Sequence, residues 1–211
     1  IPDFHNTPRR FEKFQAALAA DKLGRAASAQ AEIEFAMARQ DSTSVVVDKL
    51  ASGELPTRVT HNDTKINNVM LNDADGHGIC VIDLDTVMPG SVLYDFGDEV
   101  RTTTASAAED ERDLSKVKFR LDLFSELVRG YMESAGDFLT PEEVRLLPFS
   151  GRLITFEIGL RFLTDYLEGD TYFKTHREGH NLDRCRTQFE MVRQMEEQAE
   201  AMEAIVAKYR K

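Results

Sequence analysis

With 211 residues the chain is long enough to bury a hydrophobic core, as one large domain or two small ones. Its 37 acidic and 26 basic residues give a net charge of −11, which argues against nucleic acid or an anionic membrane surface as a partner, since both select clustered Lys and Arg. No apolar run approaches the roughly 18 residues of a membrane span.

In chain order, Thr7-Pro8 suits a helix start, with Thr7 as N-cap and Pro8 at the first position. Phe11, Phe14, Leu18 and Leu23 then mark one apolar face at helical spacing. Residues 26–39, rich in Ala and carrying Ile33, Phe35 and Met37, read as a second helix. Residues 42–51 read as a third, because Leu50 continues a face and Gly53 follows as a stop, although Val45-Val46-Val47 favours a strand. Arg58-Val59-Thr60 is strand-like and leads into His61-Asn62-Asp63-Thr64-Lys65-Ile66-Asn67-Asn68. Two apolar runs around a turn rich in Asn, Asp and Gly (residues 72–78) predict a β-hairpin over about residues 67–84. Residues 86–91 read as an irregular loop and residues 102–113 as a flexible one near the site. A helix is predicted over residues 120–134, ending at Gly136. Thr140-Pro141-Glu142-Glu143 matches a capping box and opens a helix expected to break at Pro148 and resume to Tyr166. That second part is apolar nearly all round, so it should be central, and Arg161 within it needs a partner or a route to the surface. Gly169 to Phe173 is a turn, and one long helix should run over residues 181–208. Cys80 lies in an apolar run and reads as a small buried hydrophobe, while Cys80 and Cys185 lack metal-type spacing; reduced thiols in the cytoplasm are the economical reading.

The spacing around Asp63 carries chemistry. His-x-Asp-x-x-x-x-Asn is the kinase catalytic-loop pattern, in which the Asp receives the proton of the acceptor hydroxyl and the Asn holds Mg²⁺. At average residue usage it arises by chance in only about one per cent of chains this long. Here an apolar strand ending in Asp83 follows, where a kinase places its second metal ligand. Read this way, Asp63 is the base, Asn68 and Asp83 are oxygen ligands of Mg²⁺, and Lys65 is either a γ-phosphate contact or a solvated surface lysine. Asp95 and Asp98 either hydrogen-bond the catalytic loop or cap the helix that follows, with Arg101 free to pair with either.

These residues resemble the aminoglycoside phosphotransferase superfamily of protein-kinase-like small-molecule kinases. Aminoglycoside enzymes usually carry Gly between His and Asp and His-Pro-Gly before the Asn, whereas this chain has Asn62 and Thr64-Lys65-Ile66-Asn67. HNDTKxNN, DLDTxMPGxxxYDFGDxxR from Asp83 to Arg101, and Tyr172-Phe173 through His180-Asn181-Leu182 are instead similar to the N-acetylhexosamine 1-kinases. The resemblance runs from Ile1 to about Gln188. It implies an α+β, predominantly helical fold, namely the C-terminal lobe of a protein-kinase-like enzyme with its small β-hairpin. All of residues 1–211 would then form one catalytic domain, since neither a glycine-rich loop nor a strand-borne Lys precedes residue 58 and an N-terminal nucleotide-binding lobe is expected elsewhere in the protein. It further implies ATP as co-substrate, Mg²⁺, a hexosamine acceptor phosphorylated at its anomeric hydroxyl, and Arg161 and Tyr172 contacting that sugar. His61, Asp85, Asp95, Asp98 and His180 are expected to support these groups, with His180-Asn181 more simply read as capping the last helix. Alternatives are a kinase of choline, homoserine or an aminoglycoside, an inert sugar-binding pseudokinase, or a mucin-sugar desulfating enzyme; the last wants a Cys/Ser-x-Pro-x-Arg sequence that neither cysteine provides.

Overall fold

A computed structural model describes residues 1–210 and is built around one helix. The chain forms α1 (Thr7–Ala20), α2 (Gln30–Met37), α3 (Val45–Ser52), β1 (Arg58–Thr60), β2 (Val69–Leu71), β3 (Gly78–Val81), β4 (Met88–Gly90), α4 (Val92–Thr103), α5 (Leu121–Ala135), α6 (Pro141–Glu168), α7 (His180–Glu197) and α8 (Ala199–Tyr209). The expected α+β, predominantly helical architecture is present, and no helix of the described residues is long and apolar enough to cross a membrane.

α6 opens with the expected capping box: the Thr140 hydroxyl accepts from Glu143 N at 3.1 Å and the Glu143 carboxylate accepts from Thr140 N at 2.7 Å. It closes on Gly169, whose left-handed φ of 102° suits glycine. The expected break at Pro148 does not occur, and α6 runs 28 residues without interruption. Proline removes one backbone hydrogen bond, but here both flanks are buried, and Ser150 donates its hydroxyl to the Leu147 carbonyl at 2.9 Å. Apolar nearly all round, α6 is packed against α1, α2, α4, α7 and α8, with Arg145 and Glu168 left exposed. It therefore belongs to two hydrophobic clusters. Leu147 and Ile154 pack with Leu93, Phe96, Val100, Phe124, Val128 and Met202, while Phe156, Leu160 and Leu163 pack with Phe11, Phe14, Ile33, Phe189 and Val192. Small residues set the approach. A Cβ on Gly97 of α4 would lie 2.5 Å from the Ser150 carbonyl oxygen, and one on Gly159 would lie 2.7 Å from the Phe189 ring.

Other differences from expectation are local. Asn6 caps α1 by accepting from Arg9 N at 3.2 Å, because the Thr7 hydroxyl is turned inward to Glu157. α1 ends at Ala20, which leaves Leu23 exposed. α2 is shorter than expected, since Ala29 (φ −124°, ψ 26°) separates it from a 3₁₀ turn at Ala26–Ser28. α3 forms despite its valine run and stops at Gly53 (φ 80°) as expected. Met88–Gly90 is a strand, not loop: it pairs antiparallel with β1, Val59 opposite Pro89. The hairpin β2–β3 is present with Met70 opposite Cys80, but both of its faces are outside, so Cys80 is exposed and not a core residue. The segment read as a flexible loop is helical to Thr103. Beyond that an Ala105–Phe119 bridge, the Arg101–Glu109 ion pair and a hydrogen bond from Thr187 to the Glu109 carbonyl tie it down. The last helix is broken at Gln198 (φ −106°, ψ 16°), which lets α8 turn to pack on α5 as well as α6. His180-Asn181 does not cap it; Gly179 is the N-cap residue, with no side-chain cap.

The α4–α6 contact makes a stability prediction. Gly97→Ala should destabilise by about 1–3 kcal/mol through overpacking against the Ser150 carbonyl. Gly130→Ala on α5, where nothing lies within 4 Å of the added Cβ, should stabilise by about 0.5–1 kcal/mol. Urea unfolding of both variants checks the contrast, and equal effects would remove the packing argument.

Candidate active site

The loop of residues 61–68 is held by a dense set of hydrogen bonds, most of them at His61 to Asp63 and at Asn68. β1 delivers His61, whose backbone N–H donates to Asp95 Oδ2 at 2.9 Å, and Asn62 N–H donates to Asp95 Oδ1 at 2.6 Å. The Thr64 hydroxyl donates to the Asp95 carbonyl at 2.6 Å. Of the two readings of Asp95, loop support is the one observed, while Ser91 caps α4. Burial pushes the Asp95 carboxyl above its ordinary range, and the His61 and Asn62 amides oppose that rise. Farther along α4, burial and the neighbouring charges of Asp95 and Asp98 push Glu99 up to about 7.

Asn62 sits in the left-handed region at φ 66°, which Asn tolerates better than most residues. Its side-chain amide donates to the carbonyls of Thr60 at 3.1 Å and Thr86 at 2.9 Å, and the Thr86 hydroxyl returns a bond to the His61 carbonyl at 2.6 Å. His61 Nδ1 accepts from the Asp63 amide at 3.3 Å, so its proton resides on Nε2, which donates to the Ile82 carbonyl at 2.9 Å. Ile82 N–H donates to the Asn68 carbonyl at 2.9 Å. Those last two bonds bring the end of the hairpin, and with it Asp83, beside the loop.

The outcome is a cluster of Asp63, Lys65, Asn68 and Asp83. Lys65 Nζ lies 2.6 Å from Asp63 Oδ2 and 3.8 Å from Asp83 Oδ2. The Asn68 amide donates to the Asp63 carbonyl at 2.8 Å and to its Oδ2 at 3.1 Å, which aims the Asn68 oxygen away from both. Asp83 adopts φ 62°, and no N–H or O–H of the described residues donates to its carboxylate within hydrogen-bond distance. Lys65 is thus engaged with both carboxylates, not a solvated bystander.

Other expected residues lie apart from this cluster. The Asp85 side chain is exposed. Asp98 pairs with Arg101 at 2.8 Å and does not bond the loop. His180 is buried, bonded to Asp110 at 2.9 Å and to the His176 amide at 3.1 Å, so it anchors the segment between α4 and α5. Arg161 and Tyr172 do meet one another: the guanidinium lies 5.7 Å from the Tyr172 ring centre and 5.4 Å from that of Phe173. They line a small cleft of about 50 Å³ with Arg10, Lys13, Thr164 and Glu168. Asp165 builds that wall by accepting the backbone N–H groups of Thr171, Tyr172 and Phe173 at 2.8–2.9 Å.

A model of the phosphotransferase enzyme family (APH) matches residues 1–124, more than half of the chain, and its span includes the catalytic loop, the hairpin and Asp95. The chain belongs to this family. APH members are kinases of small molecules that use ATP and Mg²⁺, and the donor set here fits that ion. The Asn68 oxygen and the Asp83 carboxylate are hard oxygen ligands left open by the protein. Among the described residues there is no cage of three or more His, Cys, Asp or Glu. α6 to α8, and with them Arg161 and Tyr172, lie outside the matched span.

Sequence reasoning missed two groups. His5 Nδ1 lies 2.9 Å from Glu157 Oε1, and its Nε2 donates to the Asn62 carbonyl at 2.9 Å. The signal available was Glu157 itself, an acid in the middle of a helix that is apolar nearly all round, which requires a buried partner. Burial opposes charging His5, but the Glu157 hydrogen bond and charge, the Asn62 carbonyl and the charge of Asp98 outweigh it and raise its pKa above 6.5. Burial likewise opposes charging Glu157, but the bond and charge of His5, the Thr7 hydroxyl and the charge of Arg161 hold it below 4.5.

The raised His5 pKa gives stability that is complete below pH 6.5 and lost as pH rises through the folded value. The lowered Glu157 pKa gives stability that is complete above pH 4.5 and lost as pH falls through the folded value. The difference in melting temperature between wild type and His5→Gln should therefore be largest between those limits and shrink on both sides. A difference independent of pH would contradict the ion pair.

Proposed function

We propose that the protein transfers the γ-phosphoryl group of ATP to the anomeric hydroxyl of an N-acetylhexosamine, giving the sugar 1-phosphate. The observation that carries the kinase part is the convergence of Asp63, Lys65, Asn68 and Asp83 on one point. Phosphoryl transfer asks a protein mainly for positioning and charge stabilisation. Asp63, its carboxylate already oriented by Asn68 and Lys65, accepts the hydrogen bond of the acceptor hydroxyl and takes its proton as the O–P bond forms. Lys65 exchanges its contact with Asp63 for the transferring phosphoryl oxygens, whose charge it offsets. Mg²⁺, held by Asn68 and Asp83, would neutralise the phosphate charge.

The hexosamine as acceptor is supported by the motif resemblance and by the cleft of Arg161 and Tyr172, where a guanidinium that forms no ion pair within 4 Å among the described residues lies beside an aromatic ring. A sugar pocket needs fixed donors of this kind beside an apolar face. The desulfating alternative gains no support, since Cys185 is fully buried with its thiol pushed well up by desolvation. We read the chain as the helical C-terminal lobe. What supports a second, nucleotide-gripping lobe is the number of large apolar side chains left exposed on the strands and turns next to the loop, among them Val59, Met70, Ile79, Val81 and Leu84.

In the full-length protein, Asp63→Asn should lower kcat by about 10²–10⁴-fold with the fold retained. Asp83→Ala should also raise the Mg²⁺ concentration needed for half-maximal rate. Near-normal kcat in the Asp63 variant, on the best acceptor of a panel scored by phosphorus NMR, would refute the base assignment. Arg161→Ala should cost roughly 1–3 kcal/mol in transition-state binding, read as kcat/KM for the hexosamine with the KM for ATP unchanged. Arg161→Lys should restore only part, because a point charge does not reproduce the planar fork. Normal sugar kinetics in Arg161→Ala would end that assignment.

A further inference from the structure

We propose that His5 and Glu157 are a positioning pair for the catalytic base, clamping the peptide plane between Asn62 and Asp63. This rests on the reading of Asp63 as base. Each peptide plane flanking Asn62 is bonded at both ends. In the first, the His61 carbonyl accepts from Thr86 and the Asn62 N–H donates to Asp95. In the second, the Asp63 N–H donates to His61 Nδ1 and the Asn62 carbonyl accepts from His5 Nε2 at 2.9 Å. Rotation of that second plane swings the Cα–Cβ bond of Asp63, so its orientation sets where the carboxylate points. The His61 bond is long at 3.3 Å. The shorter bond, from the opposite side, is that of His5.

The quality of that bond depends on Glu157. With the Glu157 carboxylate accepting from Nδ1, both ring nitrogens are donors and the ring is a cation, which shortens and strengthens a bond to a neutral carbonyl. The Glu157 carboxylate is itself fixed: its side chain is fully buried in α6, and the Thr7 hydroxyl donates to Oε2 at 2.6 Å. The His5 ring packs against Phe4 and Tyr94, with centres 4.8 Å and 5.0 Å away. Charged and titratable groups face this ring from α6 (Glu157, with Arg161 one turn on) and from α4 (Asp95 and Asp98), besides the buried Tyr94 phenol. Both ring nitrogens of His5 are engaged within the protein, so neither is left to bond a substrate in this arrangement.

The test uses the full-length enzyme with two independent readouts. His5→Ala should lower kcat by about 10- to 100-fold, the scale of a misplaced catalytic group, with the KM values of nucleotide and acceptor within about twofold. His5→Gln, whose amide still donates to the Asn62 carbonyl, should recover part of the loss. Glu157→Gln keeps the shape of the site but removes the charge, and should move the alkaline limb of the kcat–pH profile to lower pH. Independently of turnover, deuterium exchange at the amides of residues 62 and 63 should accelerate in His5→Ala and be restored in His5→Gln, with exchange in α7 and α8 unchanged. Equal kcat per folded molecule in wild type and His5→Ala would overturn the proposal, as would a raised KM with kcat intact. If the wild-type enzyme phosphorylates no acceptor, the kinase reading fails; exchange alone then decides the clamp, and unaltered exchange at residues 62 and 63 would overturn it.

Discussion

A helix with no polar face has to be enclosed, and α6 imposes that requirement on everything around it. Its 28 residues pack against five other helices, and two hydrophobic clusters share it as a common wall. Covering such a helix leaves few places for charge. Among the acids that α6 buries (Glu143, Glu157 and Asp165), Glu157 lies mid-helix, and its desolvation would be prohibitive without partners. The chain meets that need from the segment just before α1, with His5 and Thr7. The polar group that the fold has to satisfy in its centre is therefore the same group that reaches the back of the catalytic loop.

That loop illustrates how irregular backbone is held in place. It has no ladder of its own, and Asn62 occupies a region of φ that costs most residues about 1–2 kcal/mol. Bonds to both peptide groups that flank Asn62 compensate for this. Asp95 takes two amides, Thr86 and Asn62 exchange bonds across to β4, and His61 and Asn68 stitch the loop to the end of the hairpin. Groups from β1, the hairpin and α4 thereby act on four side chains that lie within 21 residues of sequence, Asp63 to Asp83.

What the amino-acid sequence made legible follows the range of the interactions involved. Asp63, Lys65, Asn68 and Asp83 were legible because short spacings encode them, and the hairpin because its turn residues announce it. Capping of α6 by Thr140 and Glu143 is equally local. Errors arose where tertiary packing overrules a local signal. Pro148 is a helix breaker that burial on both flanks overrides, and Pro89-Gly90 looks like a loop until β1 supplies a partner. The break at Gln198 depends on where α5 lies, and the exposure of Cys80 on there being no second layer over the hairpin. His5 and Glu157 are 152 residues apart, and only an acid in an apolar stretch hinted at the pair.

The hairpin that carries Asp83 has one more property. Two strands of three and four residues, with side chains exposed on both faces, bury little apolar surface, and an isolated two-stranded hairpin is marginal in water. Its ties to the rest of the molecule described above are single hydrogen bonds through Ile82 and Asn68, not a packed core. It therefore belongs to the low end of the local unfolding scale, opening without any helix having to melt. Asp83 rests on a pliant arm and Asn68 on a pinned loop, so the distance between these two oxygen donors is coupled to whatever comes to lie against the outer face of that arm.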